Sequence, residues 1–364
     1  MNVLIVVAHL RKGGPVDVVF NLCRKIMERK DICLSVVTLR KETNASKLSD
    51  FTDLGICVDT LDCSFLDCEL RTWVVVRKLS AIVRQKKIDI VHCHTYHPVL
   101  VGAKLKGVKL VATLHNRADE DFVNVYGKIV GGYMIRRYYR ALRNFDKNIA
   151  VSESAAEVYE RKLCSVSYVN NGVDVDKFSV ISKEAQQQLR LKFHLPMLAI
   201  ILVSSGRIER EKRYEELLQW FSVFSYTNPN YILLILGDGS RMDACKAMAN
   251  DKVVFTGRVS NVVDYLQCAD YYISNSQSEG MSMAVCEGMS CGLFPILSDI
   301  PAHRNVAEGV GGVFFPHPTN ICMEEIVQHH TNPHVIHHFI EQNFSIDVMV
   351  QGYVQAYYDV MKRS

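Results

Sequence analysis

One pattern occurs twice along the chain: a short apolar run, a polar turn, an amphipathic helix, and another short apolar run. The first half carries such runs at residues 3–8, 32–39, 88–94 and 108–115, and the second half at 198–205, 231–236, 270–274 and 293–297. Runs this short, closed by glycine or polar residues, read as strands buried on both faces of a parallel sheet. Strands that alternate with helices make an α/β domain. Two series of them in 364 residues predict two Rossmann-like domains. No run approaches the roughly 18 apolar residues of a membrane span. The apolar start at 1–8 precedes the basic pair Arg11-Lys12 instead of following it, which is the wrong order for a signal peptide. The chain is therefore expected in the cytoplasm. Its 12 cysteines, with no C-x-x-C pair, read as reduced thiols.

Charge is unevenly placed. Residues 1–170 carry a balance of +9 and the remainder −6, for a net +3. A basic half predicts an anionic partner, and a bilayer surface fits as well as nucleic acid. The basic residues cluster between 128 and 147, where Arg136, Arg137, Arg140 and Arg143 recur at helical spacing beside Tyr138 and Tyr139. A solvated helix with aromatic packing is one reading, and an interfacial helix on an anionic membrane is the other. No nucleic-acid motif accompanies the patch.

In parallel sheets, ligands bind at the carboxyl ends of the strands. Several candidates fall there. The first strand runs into Gly13-Gly14-Pro15 and a helix, an arrangement that lets backbone approach a phosphate. The strand at 88–94 ends in His92-Cys93-His94, and the next ends in His115-Asn116. His92 and His94 share a strand face that Cys93 does not, so zinc is disfavoured and strand-end packing is preferred. In the second half, Gly206-Arg207 and Lys212 follow the strand at 198–205. Arg is a forked donor and Lys a point charge, and together they suit a diphosphate.

The stretch from Ser274 to Gly292 is the richest in the chain. A strand runs into a polar loop that ends in Glu279-Gly280, and a helix of small and apolar residues follows. Glu279 and Glu287 are its only charges, and carboxylates on so apolar a helix require partners. The backbone N–H groups of Gly280, Met281, Ser282 and Met283 are expected at the helix mouth, where an anion is favoured. Phosphate at the mouth and hydroxyls on the two carboxylates describe a nucleotide sugar.

These residues resemble the family-four glycosyltransferases, retaining enzymes of the GT-B fold. Glu279 and Glu287 match the family's Glu, seven residues, Glu signature, and Gly206-Arg207 with Lys212 match its Gly-Arg…Lys element. Asn171-Gly172-Val173-Asp174…Phe178 is similar to the segment that crosses between domains. Gly13-Gly14, Thr113-x-His115 and Val151-Ser152 match weaker marks of the first domain. The resemblance implies an N-terminal acceptor-side domain at 1–172, a nucleotide-sugar domain at 173–345 facing it across a cleft, and a crossing helix at 346–364 returning toward the first domain. The polar segment 180–197 is read as the joint.

The resemblance also implies roles. Arg207 and Lys212 hold the donor diphosphate, Glu287 the ribose and Glu279 the transferred sugar. Gly280, Met281, Ser282 and Met283 meet the distal phosphate or sugar. His115 lines the sugar pocket, Gly14 admits the phosphates, and Arg258 and Val259 flank the base. No metal and no cofactor are implied, since Arg, Lys and a helix dipole can neutralise a leaving diphosphate. The expected donor is a UDP-linked hexose or N-acetylhexosamine, and the acceptor a glycan or lipid-linked glycan of surface-polysaccharide synthesis. That work suits a peripheral position on the inner face of the cytoplasmic membrane. An epimerase or hydrolase of the same fold is the alternative enzyme, and a degenerate binding subunit the non-enzymatic one. The chain departs from the family pattern at Arg213, where Gly is usual, at Ser282, and at Pro15.

Overall fold

The structure is a computed structural model that describes residues 1–43, 46–115, 118–329 and 331–362. Asn116, placed by the sequence at a strand end, lies outside the described residues. The chain divides into two units, Met1–Gly172 with Ile346–Ser364, and Val173–Ser345.

The first unit is built on a parallel sheet of β1 (Asn2–Val7), β2 (Cys33–Arg40), β3 (Cys57–Cys63), β4 (Ile90–His94), β5 (Lys109–Leu114), β6 (Lys147–Ala150) and β7 (Ser167–Tyr168), in the order β3-β2-β1-β4-β5-β6-β7. The central strands β1 and β4 are almost wholly buried because helices cover both faces, while the edge strands β3 and β7 are partly polar and exposed. Helices Gly14–Ile26 and Ile346–Lys362 enclose one core. Helices Thr72–Gln85, Tyr96–Gly102 and Ala118–Leu142 enclose the other. The tyrosine-rich face of the terminal helix is the buried one. Tyr357 Oη lies 2.7 Å from His92 Nδ1, and Tyr353 Oη accepts from Thr113 Oγ1 at 3.1 Å.

Helix Ala118–Leu142 is broken at Gly127, where φ is 75° and ψ 171°. It divides the basic cluster. Tyr138 and Tyr139 are buried, while Arg136, Arg140 and Arg143 are exposed. Arg137 departs from the expected lipid-facing role, because Glu69 engages it at 2.5 Å and Tyr133 lies under its guanidinium. A side chain committed inside the protein is not offered to a membrane.

The second unit holds a parallel sheet of β8 (Ile200–Ser205), β9 (Tyr231–Leu236), β10 (Val253–Gly257), β11 (Tyr271–Ser274), β12 (Phe294–Ser298) and β13 (Val313–Phe315), in the order β10-β9-β8-β11-β12-β13. The polar segment read as a joint contains a helix of this unit, Lys183–Lys192. Its buried anchor is the Arg190 guanidinium, helped by Gln186, which donates to the Ala269 carbonyl at 2.9 Å. Arg190 donates to Asp270 at 2.8 Å and to the carbonyls of Cys268, Ala199 and Met197 at 2.9, 3.0 and 3.2 Å. A helix fastened by polar side chains shows little apolar stripe, so hydropathy does not reveal it.

Strand order reverses between β1 and β4 in the first sheet and between β8 and β11 in the second. Crevices form outside the carboxyl ends of strands at such reversals.

Candidate functional site

The loops after β8 and β9 are locked together by glycine. Gly237 has φ 139°, and a Cβ there would lie 1.8 Å from the carbonyl oxygen of Gly206. No side chain fits that approach. Ile208 N donates to Asp238 O at 3.0 Å, and Arg241 N to Ile208 O at 3.0 Å. This scaffold leads into the short turn Arg210–Lys212. The Lys212 ammonium then meets the Glu279 carboxylate, and Ser276 Oγ donates to the same carboxylate oxygen at 2.8 Å. The two charged side chains are only 19% and 15% exposed, so each holds the other's charge at partial burial. Arg207 is different. It is 78% exposed and 3.6 Å from Glu211. Arg258, exposed, and Val259, half-buried, follow β10, two strands along the same edge.

The helix that follows Glu279 is Met283–Ser290, with Ser282 as its N-cap residue. It starts later than the sequence predicts. Cys286 N closes the first turn on Ser282 O at 3.1 Å, while Met283 N donates to Met281 O at 3.0 Å. Gly280, Met281 and Ser282 therefore form a bent approach to the helix, and the Met283 amide is engaged within it. Gly and Ser are weak helix formers, which favours that delay. Glu287 lies one turn into the helix and is half-buried. Behind it, a Cβ on Gly288 would be 2.3 Å from the Tyr272 ring. Tyr272 Oη reaches Ser205 Oγ at 3.1 Å, so helix, β11 and β8 are fastened at one point.

In the first unit, Gly13 and Gly14 begin helix Gly14–Ile26, with Pro15 in its first turn, where a missing N–H costs nothing. A Cβ at either glycine would meet nothing within 4 Å, and Gly13 is extended. The fold of this unit does not require glycine at either place. His115 follows β5, and its Nε2 lies 2.8 Å from His94 Nδ1. His92, one strand position pair back, bonds Tyr357 and Thr113, each at 2.7 Å. Burial keeps all three imidazoles neutral. It lowers His92 to about 3 and His115 to about 4, and holds His94 well below the usual histidine range. His97, in helix Tyr96–Gly102, pairs instead with Glu69 at 2.9 Å. Among the described residues no cluster of three His, Cys, Asp or Glu could hold a metal ion.

Two family profiles match this chain: Glycosyltransferase Family 4 over residues 12–177, and Glycosyl transferases group 1 over residues 186–327. The chain is a family-four glycosyltransferase by descent. The alpha-monoglucosyldiacylglycerol synthase of Streptococcus pneumoniae is 26% identical over 63% of this chain and 54% of its own length. The GDP-mannose:cellobiosyl-diphosphopolyprenol alpha-mannosyltransferase of Xanthomonas campestris is 24% identical over 83% of this chain and 79% of its own. The chain spans 54%, 64% and 60% of the length of three curated relatives. A crystal structure of Anabaena HepE in complex with UDP superposes with a TM-score of 0.82 at 16% identity, over 99% of this chain and 100% of that one. That likeness shows a common GT-B fold.

Within this family-four chain, two residues of the second unit escaped the sequence reading. Arg213, noted only as a departure from Gly, adopts φ 48°, ψ 42°, the left-handed conformation that glycine favours. Its guanidinium offsets that strain by donating to the carbonyls of Asn275 at 3.0 Å and Ser276 at 3.4 Å, which fixes the Glu279 loop. The Gly-to-Arg exchange was the available signal. His303 is fully buried, with Nδ1 2.9 Å from Ser298 O, and burial lowers it to about 4. Ser298 Oγ in turn donates to Ser276 O at 2.6 Å. Nothing in the sequence near His303 advertised that link. In the first unit, His94 stands behind His115, a pairing that strand alternation allowed but did not demand.

Proposed function

We propose that this chain is a retaining glycosyltransferase that moves a hexosyl or N-acetylhexosaminyl unit from a UDP-linked sugar to a glycan or lipid-linked glycan acceptor, without a metal ion. The observation that carries the reading is the Lys212–Glu279 pair at the reversal between β8 and β11. Lys212 and Arg207 take the donor diphosphate and neutralise the charge that grows on it as the sugar leaves. Arg207, exposed and loosely paired, is free to swing onto an oxygen pair. Glu279 accepts from hydroxyls of the transferred sugar and Glu287 from those of the ribose. The bent approach at Gly280–Ser282 meets the distal phosphate, and Arg258 and Val259 flank the base. His115 and Gly14 keep the family roles, at the sugar and the phosphates.

A donor phosphate oxygen takes the acceptor proton, so no side chain is needed as base. The names of the relatives, which include diacylglycerol and diphosphopolyprenol acceptors, support a lipid-borne acceptor, and the HepE complex supports UDP. Such an acceptor places the chain peripherally on the inner face of the cytoplasmic membrane, in surface-polysaccharide synthesis. The test is nucleoside diphosphate release from UDP-, GDP- and ADP-sugars with and without a polyprenyl-diphosphate glycan. Acceptor-dependent UDP release with an unchanged anomeric configuration is expected. Release that ignores the acceptor would make the chain a hydrolase, and no release with intact UDP binding would make it a binding subunit.

A further inference from the structure

The first unit exposes apolar residues where a soluble surface would be polar. On helix Ala118–Leu142, Val125, Tyr126, Ile129, Val130 and Tyr133 are exposed, Ile129 by 89%. The break at Gly127 turns the backbone between them, so residues on both sides of it reach solvent. Ile129, Tyr133 and Arg137 are spaced by four and form one row on the helix. The row ends on Glu69, which engages Arg137 at 2.5 Å and His97 at 2.9 Å. Glu69 closes the short helix Phe65–Glu69, and its neighbours Leu66, Leu70 and Trp73 are exposed too. The ion pair thus ties two exposed apolar rows side by side. A contiguous apolar surface of this kind marks an interaction site.

Charge selects the occupant. Residues 122–145 contain no Asp or Glu, and they contain Lys128, Arg136, Arg137, Arg140 and Arg143. With Arg137 engaged by Glu69, the other four cations are exposed. A second copy of this chain would bring the same positive charges together, and they would repel. An anionic bilayer accepts both features: apolar side chains enter between headgroups, cations meet lipid phosphates, and Tyr and Trp suit the interface.

We propose that this face of the first unit docks on an anionic lipid bilayer, with Leu66, Leu70, Ile129 and Tyr133 entering it and Lys128, Arg136, Arg140 and Arg143 on lipid phosphates. The proposal rests on the lipid-acceptor part of the reading above for its purpose, and is independent of the transfer chemistry. It differs from a helix that binds by arginines alone, because the apolar rows supply the anchorage and the cations the lipid preference.

The full chain is floated with mixed phosphatidylcholine–phosphatidylglycerol vesicles and with phosphatidylcholine alone. Wild type is expected to float with the mixed vesicles, less so at high salt. Leu66→Asp with Ile129→Asp should weaken binding by about tenfold or more, since each replaces inserted apolar surface with a charge. Arg136→Gln with Arg140→Gln and Arg143→Gln should erase the phosphatidylglycerol preference. An unchanged thermal shift with UDP certifies that each variant is folded. Wild type gives a second readout that needs no apolar variant. Brominated lipid should quench Trp73, while the buried Trp220, read alone in Trp73→Phe, should stay unquenched. Absence of flotation, full flotation of the double Asp variant, or no quenching of Trp73 overturns the proposal. So does a dimer that the same variant dissolves. Lost donor turnover with flotation intact would instead sink the transferase reading and leave the docking face standing.

Discussion

The same parallel-sheet architecture presents opposite chemistries at its two carboxyl edges. At β8 and β11, the mostly buried Lys212 and Glu279 side chains form an ion pair, and Glu279 also accepts from Ser276. At β4 and β5, the buried His92 and His94 and the half-buried His115 are neutral, and His92 is backed by Tyr357 of the terminal helix. The partners make the difference: the second-unit edge sets opposite charges against each other, while the imidazoles of the first unit have no charged partner to offset burial and lose their protons. On the proposed reading, charge recognition of an anionic donor falls to the second unit. The first unit offers neutral hydrogen-bonding groups, backbone that glycine leaves uncovered, and a cationic face on its outer helix.

The largest expected effect breaks the charged edge. Glu279→Gln should lower kcat by about 10²–10³-fold, the range for losing one group that stabilises developing charge. Gln keeps the shape and leaves Lys212 an amide oxygen to donate to, though not a counter-charge. UDP affinity should hold, and a loss of both would move Glu279 from the sugar to the diphosphate.

Acid should weaken the neutral edge most, since three histidines lowered by burial stand there, against His303 alone among the described residues of the second unit. His92 titrates at about 3 when folded, against roughly 6.5 unfolded. Between those values the unfolded chain binds the extra proton, so this stability is complete above about 6.5 and is lost as pH falls through the window. By pH 4 the loss from His92 alone is on the order of 3 kcal/mol. Amide exchange at pH 7 and pH 5 should show β4 and β5 losing protection before β8 and β9. Equal loss in both sheets would contradict the assignment of the histidines as the acid-sensitive element.

Glycine sharpens the contrast in smaller steps. Gly237→Ala should destabilise the second unit by about 1–3 kcal/mol in denaturant titration, since Cβ meets Gly206 at a strained φ. Gly14→Val should leave melting nearly unchanged, because nothing lies within 4 Å of a Cβ there, yet weaken donor binding by about tenfold, roughly 1.4 kcal/mol. A large melting shift in Gly14→Val would make that glycine structural.

Much of this was legible in advance. Short apolar runs placed the strands, and Gly206, Arg207, Lys212, Glu279 and Glu287 placed the second-unit edge, because chemistry concentrated in one stretch of sequence is visible there. What escaped depends on residues acting at a distance. Helix Lys183–Lys192 is fastened through Arg190 to the Cys268 carbonyl and the Asp270 carboxylate, some eighty residues away. Arg213 replaces a glycine's conformational freedom with bonds to the loop at 275–276. The delayed start of helix Met283–Ser290 follows from local bonds at Ser282 and Met281, which spacing alone does not reveal. The arginine stripe at 136–143 misled in one position, because helical periodicity does not announce that Glu69 waits opposite Arg137.

Calorimetric titration of UDP into wild type, Lys212→Ala and Arg207→Ala tests the central claim most directly. The account predicts that each variant binds UDP at least about tenfold more weakly, with Lys212→Ala the weaker of the two because its ammonium is the one fixed at the β8–β11 reversal. Unchanged UDP affinity in both variants, with melting temperatures intact, would contradict it.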